Sequence, residues 1–232
     1  MKKIIAVIVF ALAGWNSGCK SAQIESEVPT NNKDIANTYS AYKQMQGDFV
    51  LSGRANGKTF SYNGKINVEN GKAPQDLALF MIIRDMIFQS PLSSMQIKDG
   101  KLLFKDMVNH VDKEYAYKDS SFVFYSNQEI PMEVLIPLFS GNLPDGLVGR
   151  GKANVDKSIY HLKAREYELA GFFKNSKLTT LIYSPPENYY QIIFESSGHV
   201  QNAQNRYFPE KIKVSVGKDE YFEITFKKID IK

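Results

Sequence analysis

Apolar positions along the chain follow two successive periods. Ile35, Tyr39, Tyr42 and Met45 recur at helical spacing behind Asp34, a residue suited to an N-cap. This spacing predicts an amphipathic helix from Ile35 to Gln46, ended by Gly47. A period of two then takes over. Phe49 to Arg54 leads into Asn56-Gly57, a hairpin dipeptide whose residues both tolerate positive φ. The return strand places Phe60, Tyr62, Ile66 and Val68 on one parity, and Gly64 shares it, which marks a bulge or a close approach. After the polar turn Glu69 to Gln75, the run Leu77 to Phe88 is apolar on both parities except at Arg84 and Asp85. A strand of that kind is covered on both faces or lines an apolar cavity. Met95 to Lys98, Asp99-Gly100 and Lys101 to Phe104 then read as a second hairpin.

One helical insertion interrupts the strands. Ile130 to Phe139 carries Pro131 near a favourable first-turn position and Pro137 where a missing donor should kink or end the helix. Such a short, apolar, broken helix suits a lid or a plug. Strand patterns resume at Ser158 to Ala164, Glu166 to Phe173, Leu178 to Tyr183 and Tyr189 to Glu195. The last two, Lys211 to Val216 and Glu220 to Lys228, flank Gly217-Lys218 and alternate between a wet and an apolar face. Roughly ten strands and two or three helices without βαβ alternation predict a mainly β, α+β fold: one large antiparallel sheet curved around an apolar interior.

The N-terminal segment changes the setting. Lys2 and Lys3 precede the apolar run Ile4 to Trp15, and Asn16-Ser17-Gly18 lead to Cys19, the only cysteine. This is the grammar of an export signal, read here as residues 1–18. Cys19 is either a free thiol beside a cleavage point or, the favoured reading, a lipobox cysteine that is diacylated and anchors the protein to a membrane surface. Residues 19–33 then form a lipid-anchored flexible tether, and residues 34–232 one folded domain. The composition, 43% apolar and 23% charged, belongs to a globular chain rather than a disordered one. The formal charge of +4 becomes +2 once Lys2 and Lys3 leave, 27 basic against 25 acidic side chains, too even a balance for a nucleic-acid partner.

Catalytic chemistry finds no foothold. His110, His161 and His199 lie far apart, with no second ligand at metal-binding spacing, and no G-x-S-x-G elbow is present. Gly146 to Ala153 fits G-x-x-x-x-G-K, but Ala153 stands where magnesium needs a hydroxyl, and the segment follows a turn rather than a buried strand. No spacing singles out a carboxylate pair for acid/base work. The expectation is a protein without catalytic residues, cofactor or metal. The surplus of large apolar side chains leaves two readings: a filled core, or a hollow interior that accepts acyl chains.

Four segments, in order and spacing, resemble the LolA/LolB lipoprotein-carrier family, and within it the outer-membrane receptor branch. They are Gly47 to Arg54 as a first strand with a Gly-Arg ending, Gln89 to Ser94 in the place of a Pro-Leu-Gly turn, Ile130 to Pro144 as an Ile-Pro-Leu helix closing on a turn, and Phe208-Pro209 with the two final strands. Ser93 stands where the family turn has its Gly. The resemblance implies an incomplete antiparallel β-barrel with a helical lid over an apolar cavity. It implies an outer-membrane lipoprotein on the periplasmic face that takes the acyl chains of lipoproteins from a periplasmic LolA-like carrier and helps insert them, acting as a monomer. On this reading Leu51, Phe60, Tyr62, Leu79, Met81 and Ile83 form the acyl-binding wall, and Met132, Leu135, Ile136 and Phe139 the lid. The family's membrane-touching loop would fall at Glu69 to Gln75, whose apolar content is only Ala73 and Pro74. The alternative is a structural surface lipoprotein with a filled core and a protein partner.

Overall fold

The computed structural model describes residues 35, 38–39, 42–70, 77–185, 190–201 and 207–232. Residues 1–34, with the expected leader, Cys19 and tether, lie outside them. The strands in chain order are β1 Gln44–Ala55, β2 Lys58–Glu69, β3 Ala78–Arg84, β4 Pro91–Lys98, β5 Lys101–Asp106 and β6 Val111–Ala116. After a 3₁₀ turn at Tyr117–Asp119 come β7 Ser121–Val123, β8 Glu129–Pro131, helix α1 Met132–Phe139 and β9 Lys152–Ala153. The chain finishes with β10 Ile159–Lys163, β11 Glu168–Lys174, β12 Lys177–Ser184, β13 Ile192–Gln201, β14 Tyr207–Val216 and β15 Glu220–Ile231.

Thirteen strands make one antiparallel sheet in the order β6-β5-β4-β3-β2-β1-β15-β14-β13-β12-β11-β10-β9, curved but not closed into a barrel. The chain thus meanders outward from β1 to one edge, and returns along the other half so that its last strand lies beside β1. β7 and β8 form a separate two-stranded ribbon. The dipeptide signals are realised as two-residue turns. Asn56 and Gly57 have φ of 49° and 72°, and Asp99 and Gly100 have φ of 50° and 72°, the left-handed pair that matches strand twist.

The core lies on one face of this sheet. Met45 and Phe49 of β1, Val68 of β2, Leu79 of β3, and Ile212, Val214 and Ile224 of the C-terminal strands are all buried. Helix α1 is driven into the same core: Met132, Val134, Leu135, Ile136, Leu138 and Phe139 are buried, leaving only Glu133 and Pro137 partly outside. Pro137 does not stop the helix at once. It sits in the last turn, where it forfeits one bond to the Glu133 carbonyl and the helix ends two residues later, and its own carbonyl accepts from the backbone N–H of Ser140 and of Asn142 at 3.1 and 2.7 Å.

Three expectations are corrected. Among the described residues the helix predicted over Ile35 to Gln46 is present only at Ile35 and Thr38, and by Gln44 the chain is already strand. Met45 serves the sheet core instead, and Gly47 lies buried within β1 rather than ending a helix. The apolar run Leu77 to Phe88 is strand only through Arg84, and it is not covered on both faces, since Phe80 on the outer face is 43% exposed. The count of strands is also higher, with a single α-helix among the described residues. β6, whose sequence VDKEYA has no apolar alternation, is an exposed edge strand held by its ladder to β5.

Candidate functional site

An apolar strip on the inner face of the β1–β6 half is the candidate site. Register places its members in rows. Leu51 faces Tyr62, Gly53 faces Phe60, Gly64 faces Ile83, and Met81 lies between Ile66 and Met95, with Phe104 next in line. Toward the β2–β3 end this face is sealed, with Val68, Leu79, Ile97 and Leu102 buried. Toward the β1–β2 turn the seal is incomplete. Leu51, Phe60, Tyr62, Ile83 and Met95 are only half-buried, and Phe104 is exposed. The rings of Phe60 and Tyr62 stack at 5.8 Å along this stretch. Parity alone delivers this arrangement, because residues two apart in a strand share a face.

The wall residues expected from the sequence therefore share one face, with Leu79 and Met81 in the sealed part and Leu51, Phe60, Tyr62 and Ile83 in the half-open part. Met132, Leu135, Ile136 and Phe139 lie deeper than a cover would, inside the core, and Phe139 meets Phe222 ring to ring at 5.9 Å. Helix α1 is a plug. Its ends are tied down: Tyr42 Oη donates to the Ser140 carbonyl at 2.7 Å, and Tyr167 Oη donates to Glu133 Oε1 at 3.2 Å. Burial raises the Tyr167 hydroxyl to about 12, helped by the Glu133 charge, and burial likewise takes Tyr183 to about 12. Both hydroxyls remain protonated at any physiological pH, so Tyr167 keeps its bond to Glu133.

The β7–β8 ribbon packs on the inner face at Phe222, beside α1. Phe122 and Phe124 pack on each other and on Phe222, with centroids 5.1 to 5.9 Å apart. Two concavities beside α1 and the C-terminal strands are small. One, between Leu138, Gly141, Leu178 and Phe194, measures about 20 Å³, and the other, lined by Val200, Phe226, Ile229 and Ile231, about 150 Å³. Both fall below the ~300 Å³ at which ligand pockets begin.

A second feature was missed by sequence reasoning. Asp85 to Ser90, between β3 and β4, forms a projecting turn with Ile87 80% and Phe88 82% exposed. The Asp85 carboxylate fixes it by accepting from the backbone N–H of Ile87 and Phe88, both at 2.8 Å, which also lowers its pKa. The β5–β6 turn, at the same end of the sheet, repeats the device: Asp106 accepts from the N–H of Val108 and Asn109 at 3.0 Å, and Val108 is exposed. Met107 N–H donates to the Leu92 carbonyl, joining the two turns side by side. The signal lay in Asp followed by apolar residues within a run too long for one strand. Of the expected membrane-touching loop Glu69 to Gln75, residues 71–75, including Ala73 and Pro74, lie outside the described residues.

The phosphate-loop lookalike is excluded by its setting. Residues 145–150 are turns leading into β9, with no helix N-terminus, and Arg150 is engaged by Asp145 at 2.7 Å. Among the described residues no group of three or more His, Cys, Asp or Glu is placed to hold a metal ion, and no helix is long and apolar enough to cross a membrane.

No family model matches the sequence, and no curated protein matches it. Solved structures do match the fold. A domain from Vibrio parahaemolyticus described as an outer membrane lipoprotein-sorting protein domain superposes with a TM-score of 0.60 at 4% identity, over 86% of this chain and 90% of that one. A DUF1329 family protein from Desulfovibrio piger gives 0.59 at 11% identity, over 87% and 92%. A LolA superfamily protein from Nitrosomonas europaea gives 0.54 at 8% identity, over 86% and 91%. The chain thus has the fold of these structures over 86 to 87% of its length, an incomplete barrel with, among the described residues, one short α-helix inside it.

Proposed function

We propose that the protein binds the acyl chains of lipoproteins on the inner strip of its β1–β6 half and helps pass them into the outer membrane. The observation that carries this reading is the half-open apolar strip from Leu51 and Phe60 to Met95, continuous with the buried core at Leu79. Apolar area of this kind normally finds a partner, and an acyl chain gains ~0.8 kcal/mol per CH₂ it buries there. Transfer between two such sites needs no covalent step and no energy source when affinities are graded. The projecting turn Met86-Ile87-Phe88 supplies the membrane contact. It stands at the same edge of the sheet as the β1–β2 turn, where the strip is least covered. Cys19, as a lipidated residue, would hold the domain on the periplasmic face of the outer membrane, and a LolA-like carrier would be the donor. The chain acts as a monomer in this scheme.

The small size of the two concavities, one against α1 and one on the C-terminal strands, favours a second reading, a surface lipoprotein with a filled core that binds a protein partner. Native mass spectrometry of residues 20–232, challenged with a triacylated lipopeptide and its unacylated twin, separates the two. Binding of the acylated form alone supports the carrier; binding of neither supports the filled-core reading.

A further inference from the structure

The outer face of the sheet brings two cations together with no acid between them. Arg84 is the last residue of β3, and the ladder sets it opposite Asn63 of β2, which in turn faces Val50 of β1. Asn63 lies between Tyr62 and Gly64 of the inner strip, so its own side chain belongs to the opposite face. A register shift in the β1–β15 ladder leaves Lys227 over as an extra residue, and its side chain crosses β1 to bring Nζ within 3.3 Å of Asn63 Oδ1. One amide therefore stands between an ammonium and the residue that carries a guanidinium.

The carboxylates of this region are committed elsewhere. Asp48 takes Lys65 at 3.5 Å, and Glu223 takes Lys211 at 2.8 Å. The Asp85 carboxylate, next in the chain to Arg84, is spent on the N–H groups of Ile87 and Phe88. Among the described residues neither Arg84 nor Lys227 has an ion pair. The Arg84 Nε is also buried without a hydrogen-bond partner, and a donor in that state costs free energy until an acceptor reaches it. A guanidinium, an ammonium and an amide on one patch match a phosphate, whose several acceptor oxygens suit both planar and point-like donors.

The position of the patch says which phosphate. It lies at the root of the projecting turn: the exposed Ile87 is three residues past Arg84, roughly 10 Å at ~3.3 Å per residue. An apolar side chain seated ~5–10 Å into the headgroup boundary holds a group that far behind it at the level of the lipid phosphates. Two unanswered cations favour a headgroup whose phosphate carries no ammonium of its own. We propose that Arg84, Asn63 and Lys227 bind the phosphate of an anionic phospholipid at the root of the Met86-Ile87-Phe88 turn. The proposal rests on the membrane contact given to that turn above, and adds the class of lipid it meets.

The test floats the full chain, carrying Cys19→Ser so that no acyl anchor contributes, on vesicles of phosphatidylcholine alone and of phosphatidylcholine with phosphatidylglycerol. Wild type should bind the phosphatidylglycerol vesicles more tightly. Arg84→Gln and Lys227→Gln should each lose about fivefold of that gain, with binding to neutral vesicles unchanged. Lys227 is exposed, so its variant carries the test should Arg84→Gln not fold. Lys98→Gln, at the far end of β4, should keep the gain in full. Absence of the gain in wild type, or a gain that survives both substitutions, overturns the site. An equal loss in Lys98→Gln also overturns it, since the attraction would then belong to the charge of the whole chain. A full shift of the Arg84 Nε–H resonance with inorganic phosphate alone, unchanged when phosphatidylglycerol vesicles follow, would assign the patch to a free anion and overturn the lipid. An intact gain in a chain that binds no neutral vesicle upholds the site and removes the turn from the membrane contact.

Discussion

The ring of Phe49 occupies the space a side chain would need at Gly64: a Cβ built there falls 2.2 Å from its Cζ. The two residues face each other across the β1–β2 ladder, and Phe49 is buried edge-on to Phe226 at 6.0 Å. Phe226 in turn meets Phe208 at 5.1 Å. This stack sits beside a register shift in the β1–β15 ladder, where Asp48 and Phe49 pair with Lys228 and Phe226 and leave Lys227 over, the kind of bulge that bends a sheet. Gly64→Ala should cost about 1–3 kcal/mol in urea unfolding, since a close-packed ring must move. Phe49→Leu should relieve part of that in the double variant, a coupling a double-mutant cycle reads directly.

The turn at Ile87 and Phe88 tests a different property. Both side chains are largely in solvent, so replacing them with Asp should leave the melting temperature within a degree or two. Partition onto vesicles carrying outer-membrane lipids should fall at least about tenfold, because each apolar side chain contributes up to ~1.5–3 kcal/mol when buried in lipid. Flotation of an unacylated Cys19→Ser chain measures this without the anchor. Unchanged flotation would remove the turn from the membrane contact.

Much of the architecture was legible because it rests on period and turn chemistry. Asn56-Gly57 and Asp99-Gly100 place two hairpins, and alternation at Lys211 to Val216 places a third. The glycine at position 64 was readable as a close approach, though not which ring would fill it. Three things were not legible. Met45 and Tyr42 have helical spacing but serve a strand and a tertiary bond to Ser140, because tertiary burial overrides local period. In Leu77 to Phe88, apolar side chains beyond Arg84 imitate strand continuation, and only the Asp85 side chain, by capping two N–H groups, turns them outward. The hydrogen bonds from Ser126 and Tyr125 in the ribbon's turn to Glu220 join residues 94 and 95 positions apart, a pairing that no local pattern encodes.

His199 should leave a mark on the pH dependence of stability. Burial, then the Lys177 charge, lowers its pKa below the ordinary 6.5, and its Nε2 is buried without a hydrogen-bond partner. A lowered histidine pKa means that the unfolded chain binds the extra proton first. Stability therefore falls as pH drops through 6.5 and levels off below the folded-state value. His199→Gln should flatten this part of the curve relative to wild type in thermal melts between pH 5 and 7.5. A parallel pair of curves would show that His199 does not titrate differently on folding.

Helix α1 and the strip should respond to mutation in opposite ways. Leu135 is 2% exposed within the plug, so Leu135→Ala should cost about 2–5 kcal/mol by the cavity it leaves. Ile83 faces Gly64 in the half-open part of the inner face, where the folded protein has buried less of it. Ile83→Ser should therefore destabilise less, about 1–2 kcal/mol, yet place a hydroxyl in the path of a bound acyl chain. The two variants separate stability from binding when urea unfolding and lipopeptide binding by native mass spectrometry are run together. The expected pattern is a large loss of stability with retained binding for Leu135→Ala under native conditions, and the reverse for Ile83→Ser. If instead Leu135→Ala alone abolishes binding in chains that remain folded, the acyl chain enters against the helix, and the wall lies on the other side of the core.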